Sequence, residues 1–509
     1  MYDTVRNASS AFAEALINVA RLHLGSKVAH NMANGSMLRI LPDEDARRIR
    51  VGSLEILNDV GIVIHHESAL QSLHTAGAIV DHRKQTVRIS PEMVDECVKK
   101  SQGLGTLAGR SQENDLKVEP GRTFTRCVSG SIYVIDSENG TRRSATSTDV
   151  ENFTRLQDAL RNISFCGGSP YPSDVHPRMQ DICQISIMLQ NTSKHIRFQP
   201  FSGQNLEYAV RLAEAVLGGE DELRKRPVLS CITAPSSPLR YSKEQVDIIV
   251  RSGHYGLPVM LGSTPTMGAS GPVTLAGSLM LQNAEILAGI VLSQIMNPGA
   301  PLSYGPRMPT MDMRTGLSTW GAVEFGLAAA AAVQVGQAYG LEIDTYGPST
   351  DAKILDEQAA IERTFNAILP ALAGAHIING AGVLESILSV SMEQLLIDNE
   401  MFGMMLRMLH GIDVDEGTLA RDIIRKVGPG GNYLADRHTR DHFKAEHFIP
   451  ELFDRRTRNA WERAGNKNVV AASTEAVSRI LAEHHVASLD QDVTAQMDAI
   501  LDDAKKKIV

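Results

Sequence analysis

From about residue 149 onward the chain alternates helical stretches with short β-rich runs, and the runs stop at clusters of Gly, Pro and Ser. Repeated βα units read this way, because a parallel strand is buried on both faces and its helix must cross back over the sheet. The runs are residues 163–168 before SPYP, 195–199 before PFSG, 228–233 before APSSP, 259–262 before STPTMGASGP, 302–305 before PRMPTMDMRTG, 342–346 before GPSTDAK, 376–379 before GAG, and 386–391. Helical stretches fall between them at 177–190, 206–217, 242–252, 275–295, 320–339 and 356–372. About eight strands with intervening helices predict an α/β fold, a (β/α)8 TIM barrel. An open doubly wound sheet is the alternative. The first runs lack a G-x-G-x-x-G turn, and Gly380-Ala381-Gly382 alone is poor support for a dinucleotide.

The flanks differ in texture. Residues 1–150 mix helical periods (43–60, 67–76) with strand-like pieces (86–89, 131–135) and read as an N-terminal α+β extension. Residues 151–410 hold the barrel, and 411–509 form a charged C-terminal helical extension with a GPGG break at 428–431. Fifty Lys and Arg against fifty-nine Asp and Glu leave a net charge of -9 with no long basic block, which argues against nucleic acid or a membrane as the main partner. Five scattered cysteines form no C-x-x-C pair, and the opening residues lack the basic flank and unbroken apolar run of a signal peptide, so reduced thiols and a cytoplasmic location are expected. The most apolar stretch, 327–335 with five consecutive alanines, is too short to span a bilayer. It suits close helix contact, and a homo-oligomer is expected.

In a barrel the functional groups gather in the loops after the strands. After residues 302–305, Tyr304, Arg307, Asp312 and Arg314 stand close together; the plain alternative is an Arg–Asp clamp that fixes the loop. After 342–346, Tyr346, Ser349, Thr350, Asp351 and Lys353 share a turn in which Thr350 or Asp351 can cap the next helix and favour an anion. The loop after 259–262 is rich in Gly and Ser and permits close backbone approach. No metal is expected. H-x-C and H-E-x-x-H are absent, Cys166, Cys231 and His376 read as buried residues, and His438, His442 and His447 read as a solvated helix face.

The segments YGPRMPTMDMRTG, GAVEFGLAAAAAVQ and GPSTDAKILDEQAAIE resemble the trimethylamine methyltransferase (MttB-like) family. The resemblance extends back to LQSLHTAGAIVDHRKQTVRISPEMVDE and forward to VGPGGNYLADRHTRDHF. It implies a barrel with extensions that passes a methyl group from a methylated amine to a separate corrinoid protein, with no tightly bound cofactor of its own. Founding members carry pyrrolysine just before the Thr-Asp-x-Lys segment; here Ser349 stands there. A quaternary ammonium needs no such help, because it departs as a neutral tertiary amine. The resemblance therefore points to quaternary amines of the betaine type, such as glycine betaine. On this reading Ser349 and Asp351 are the candidate catalytic residues. Tyr304, Tyr346 and Asp351 are expected near the cation, with Met267 or Met311 completing a sparse cage, and Arg307, Arg314 or the turn at Ser349 and Thr350 near the carboxylate. The competing readings are a methylamine-binding protein without turnover, a trimethylamine enzyme without pyrrolysine, and a metal-dependent barrel hydrolase.

Overall fold

A computed structural model describes residues 38–119, 121–136 and 140–509. The opening stretch expected to lack a signal peptide lies outside the described residues. Among the described residues eight short strands form the centre: β1 (Phe124–Cys127), β2 (Cys166–Gly167), β3 (Ile196–Phe198), β4 (Leu229–Thr233), β5 (Val259–Ser263), β6 (Leu302–Pro306), β7 (Asp344–Tyr346) and β8 (Ile377–Ala381). One parallel sheet runs β6-β5-β4-β3-β2 and another runs β7-β8-β1. Their edges meet twice, through single parallel bridges from Arg126 to Phe165 and from Tyr304 to Ile343.

A long helix follows every strand: α1 (Ser147–Ala159), α2 (Gln180–Asn191), α3 (Gly203–Leu217), α4 (Lys243–Tyr255), α5 (Leu275–Met296), α6 (Val323–Gln337), α7 (Glu357–Leu372) and α8 (Met392–His410). The strands β4, β5 and β6 are buried at every position, which is why they read as short apolar runs rather than alternating ones. Local chemistry starts and stops the helices. At α4 a capping box links Ser242 and Gln245, and left-handed Gly256 ends the helix. Helix α5 is apolar on all sides and long enough to cross a membrane, with a mean hydropathy of 1.5, yet 78% of that window is buried. That is the setting of a core helix. It exceeds in length the alanine-rich stretch 327–335, which lies inside α6; just before that stretch the Gly326 amide donates to Asn366 on α7 (3.0 Å).

One strand departs from expectation. The final run, 386–391, is not in the parallel sheets; Ser389–Val390 pairs with Tyr133–Ile135 in a small separate sheet. Glu385, Ser386 and Ile387 take positive φ values of 52°, 53° and 72°, which break any extended run there. The missing parallel strand is β1, buried at all four positions and contributed by the region before residue 150.

The N-terminal ends of the strands are covered. Residues 102–118 cross them, with a two-strand hairpin pairing Thr106 to Lys117 and Leu107 to Leu116. Leu104, Leu107, Leu116 and Val118 pack onto Phe124, Phe165 and Ile377. The Leu302 amide donates to the Gln102 carbonyl (3.0 Å), the Leu104 amide to Glu342 (3.0 Å) and the Arg226 guanidinium to Asp115 (3.0 Å), fastening the segment to three further strand approaches. On the outside, the C-terminal helix Gln491–Ile508 is tied to α3 through Asp503, which accepts from Tyr208 (3.1 Å) and Arg211 (2.8 Å).

Candidate functional site

Between the two parallel sheets lies a buried charge cluster. Arg126 on β1 reaches Asp344 on β7 (3.3 Å), Arg197 on β3 reaches the same carboxylate (2.5 Å), and Arg307, just past β6, stands 3.6 Å from it. Asn379 on β8 donates to Asp344 (2.5 Å) and to the Thr345 carbonyl (2.9 Å). Strands put these side chains here because alternate positions face the same side, and each strand is too short to offer more than one or two such positions. Burial alone would raise the Asp344 carboxyl, but the guanidiniums of Arg126, Arg197 and Arg307 outweigh it and hold the acid below its ordinary value. Burial, against the pull of Asp344, lowers Arg197 to about 10 and lowers Arg307 as well. Three guanidiniums thus contact one ionised carboxylate.

The cluster continues toward the closed end. Arg197 Nε donates to Ser230 Oγ (2.9 Å), which stands 2.7 Å from His195 Nε2. The other ring nitrogen faces the carbonyls of Ala108 and Pro227 at 3.1 Å each, so Nδ1 carries the proton and Nε2 accepts from Ser230. Burial drives His195 down to about 3, which keeps it neutral. Toward the loops, Arg307 lies 5.0 Å from the Tyr346 ring centroid, and Tyr346 makes an edge contact with Trp320 at 5.1 Å.

The sequence-derived candidates divide. Arg307 and Tyr346 belong to this cluster. Ser349 and Asp351 instead grip Trp320 from both sides of its peptide: Ser349 Oγ donates to the Trp320 carbonyl (2.6 Å), and the Trp320 amide donates to Asp351 (2.8 Å), which also accepts from Ser386 (2.5 Å). Thr350 donates to Glu362 (2.6 Å). Neither Thr350 nor Asp351 caps a helix, because α7 begins six residues later with Asp356 accepting from the Ala359 amide (3.0 Å). Tyr304 points into the helix layer, donating to Asn283 (3.0 Å) with its ring 5.9 Å from Tyr339. Arg314 is 89% exposed on a hairpin tip and pairs with Asp312 (3.0 Å), which is the loop clamp weighed above. Arg126, Arg197 and Asp344 were not singled out from sequence. At Arg197 the signal was one charged residue inside an otherwise apolar strand, Ile196-Arg197-Phe198, whereas Arg126 follows Thr125 and Asp344 opens the strand Asp344-Thr345-Tyr346. Among the described residues no group of three or more His, Cys, Asp or Glu could hold a metal ion.

The family model described as trimethylamine methyltransferase (MTTB) matches residues 16–508. The chain belongs to that family. Trimethylamine methyltransferase MttB of Methanosarcina barkeri is 35% identical over 481 residues, spanning 94% of this chain and 97% of that protein. The Desulfitobacterium hafniense MttB is 33% identical, covering 96% and 98%. A glycine betaine methyltransferase of Desulfitobacterium hafniense strain Y51 is 30% identical, covering 92% and 98%. The crystal structure of the Methanosarcina barkeri monomethylamine methyltransferase is superposable over 95% of this chain and 96% of its own at 11% identity and a TM-score of 0.48. As a member of the trimethylamine methyltransferase family, the chain is a methyltransferase.

Proposed function

We propose that this methyltransferase moves a methyl group from a quaternary amine of the betaine type, such as glycine betaine, to the cobalt(I) of a corrinoid carried by a separate protein. The observation that carries this reading is Ser349. Its side chain is buried and its hydroxyl donates to the Trp320 carbonyl, so it offers no reactive group with which to activate a substrate covalently. The methyl donor must therefore bring its own leaving group. A quaternary ammonium does so: the N–C bond breaks, nitrogen keeps the electron pair and leaves as a neutral tertiary amine, and carbon bonds to the attacking cobalt. The relative named glycine betaine methyltransferase agrees with this chemistry.

Two further features fit. The bridges at both pairs of sheet edges support reading the eight strands as one closed (β/α)8 barrel that begins at β1. The loops at the C-terminal ends of the strands expose Ile132, Phe201, Val273, Leu317, Ile354 and Leu388, an apolar surface suited to a docking protein. The test is transfer to cob(I)alamin, followed by absorbance, with trimethylamine, glycine betaine, proline betaine, carnitine and choline as donors, repeated with a corrinoid protein as acceptor. Turnover with a betaine is expected. Transfer from trimethylamine alone would overturn the substrate class, and binding of a betaine without transfer to either acceptor would make the chain a binding protein.

A further inference from the structure

The buried cluster carries more positive charge than its own carboxylate answers. Arg126, Arg197 and Arg307 are all buried and share Asp344. Glu342, nearer the covered end, is within the field of Arg197 but forms no salt bridge with the three guanidiniums and accepts from the Leu104 amide. The donors are not all used either. Among the described residues Arg197 Nη2 has no hydrogen-bond partner, and neither has Ser303 Oγ on β6. Arg307 Nη2 stands 3.6 Å from Asp344, beyond hydrogen-bond reach, and its one hydrogen bond goes to the Met260 sulfur at 3.1 Å, a weak acceptor; Met260 is the register partner of Ser303. Water could satisfy an idle N–H, but it cannot neutralise surplus charge held out of solvent. An anion does both.

We infer that Arg197 and Arg307, with Ser303 beside them, bind the carboxylate of the substrate, while Arg126 and Asn379 hold Asp344 in place. This rests on the quaternary-amine reading and assigns the residues that select for a carboxylate. The surplus charge also orients the ligand. It draws the carboxylate inward and repels the trimethylammonium toward the loops, so the methyl groups face the side where an acceptor arrives. Tyr346 fits this arrangement, because Arg307 already rests on its ring, leaving the cation to be met elsewhere.

The test separates carboxylate from cation. The probe 3,3-dimethylbutanoate is the carbon isostere of glycine betaine: it keeps the carboxylate, has no positive charge and cannot donate a methyl group as an amine does. By calorimetry it should bind the intact chain and compete with glycine betaine. Choline, which keeps the cation but replaces the carboxylate with a hydroxyl, should bind on the order of 100-fold more weakly than glycine betaine. Arg197→Met should abolish dimethylbutanoate binding. If that variant does not fold, Arg307→Lys, which keeps the charge but loses the planar fork, should weaken binding about tenfold or more while holding its melting temperature. Choline binding as tightly as glycine betaine, or dimethylbutanoate failing to bind the unaltered chain, would overturn the carboxylate site. Choline serving as a good methyl donor would sink the site and leave the transfer reading intact; dimethylbutanoate binding that depends on Arg307, with no donor active, would do the reverse.

Discussion

At His195 the neighbours decide the charge. Two carbonyls require a proton on Nδ1, Ser230 requires a lone pair on Nε2, and burial lowers the ring to about 3. His376 is similar: its Nδ1 accepts from the Ile343 amide (3.2 Å), and burial lowers it to about 4. Both folded values lie below the ordinary ~6.5 of an unfolded chain, so the unfolded state takes up protons first. Their contribution is complete above that value and is lost as the pH falls toward 4 and 3. Asp181 acts in the opposite sense, since burial raises it to about 6 and its ionised form costs stability as the pH rises through the window above 3.8. Glu285, Glu342, Asp398 and Glu400 are raised by burial too and act in the same sense as Asp181. Each histidine should therefore take up to ~1.4 kcal/mol per pH unit off the unfolding free energy as the pH falls from 7 to 5, and His195→Gln should remove its share of that slope, read from urea unfolding at each pH. An unchanged slope in that variant would refute the assignment. At this scale the sequence was legible in the loops and opaque in the strands. Arg307, Tyr346 and Ser349 stood out because polar residues crowd their turns, whereas Arg126 and Arg197 each sit alone in a strand of four or three residues, where no periodicity marks the side they face.

Elements were easier to read than their partners. Seven of the β-rich runs became parallel strands because each is buried throughout and bounded by turn residues, and those are local properties. Which strand completes the set is not local. Phe124–Cys127 pairs with Ile377–Ala381 across some 250 residues of chain, and nothing in either segment names the other. The second contact of β1, against β2, depends on Gly167. A Cβ there would collide with the carbonyl oxygens of Cys127 and Val128, which are backbone atoms and cannot swing aside. Gly167→Ala should therefore destabilise the chain by about 1–3 kcal/mol or more, read as a lower denaturant midpoint, through this seam and not through any loss of helix. Amide exchange that quickens at Arg126 and Cys166 would locate the damage; an unaltered midpoint would show that the seam tolerates a methyl group.

At the scale of the whole molecule, residues 102–118 are the part whose effect reaches furthest. Their hairpin, and the leucines packed on Phe124, Phe165 and Ile377, leave the arginine cluster with its back to a wall. In the closed barrel proposed above, a covered floor leaves the loop side as the way in. Under the proposed transfer, the donor that enters first lies beneath the corrinoid protein, and the amine left behind waits for that protein to leave. Steady-state kinetics should accordingly show compulsory order, with the small donor adding before the corrinoid acceptor and demethylated amine departing last, and random addition would mean that a second doorway exists.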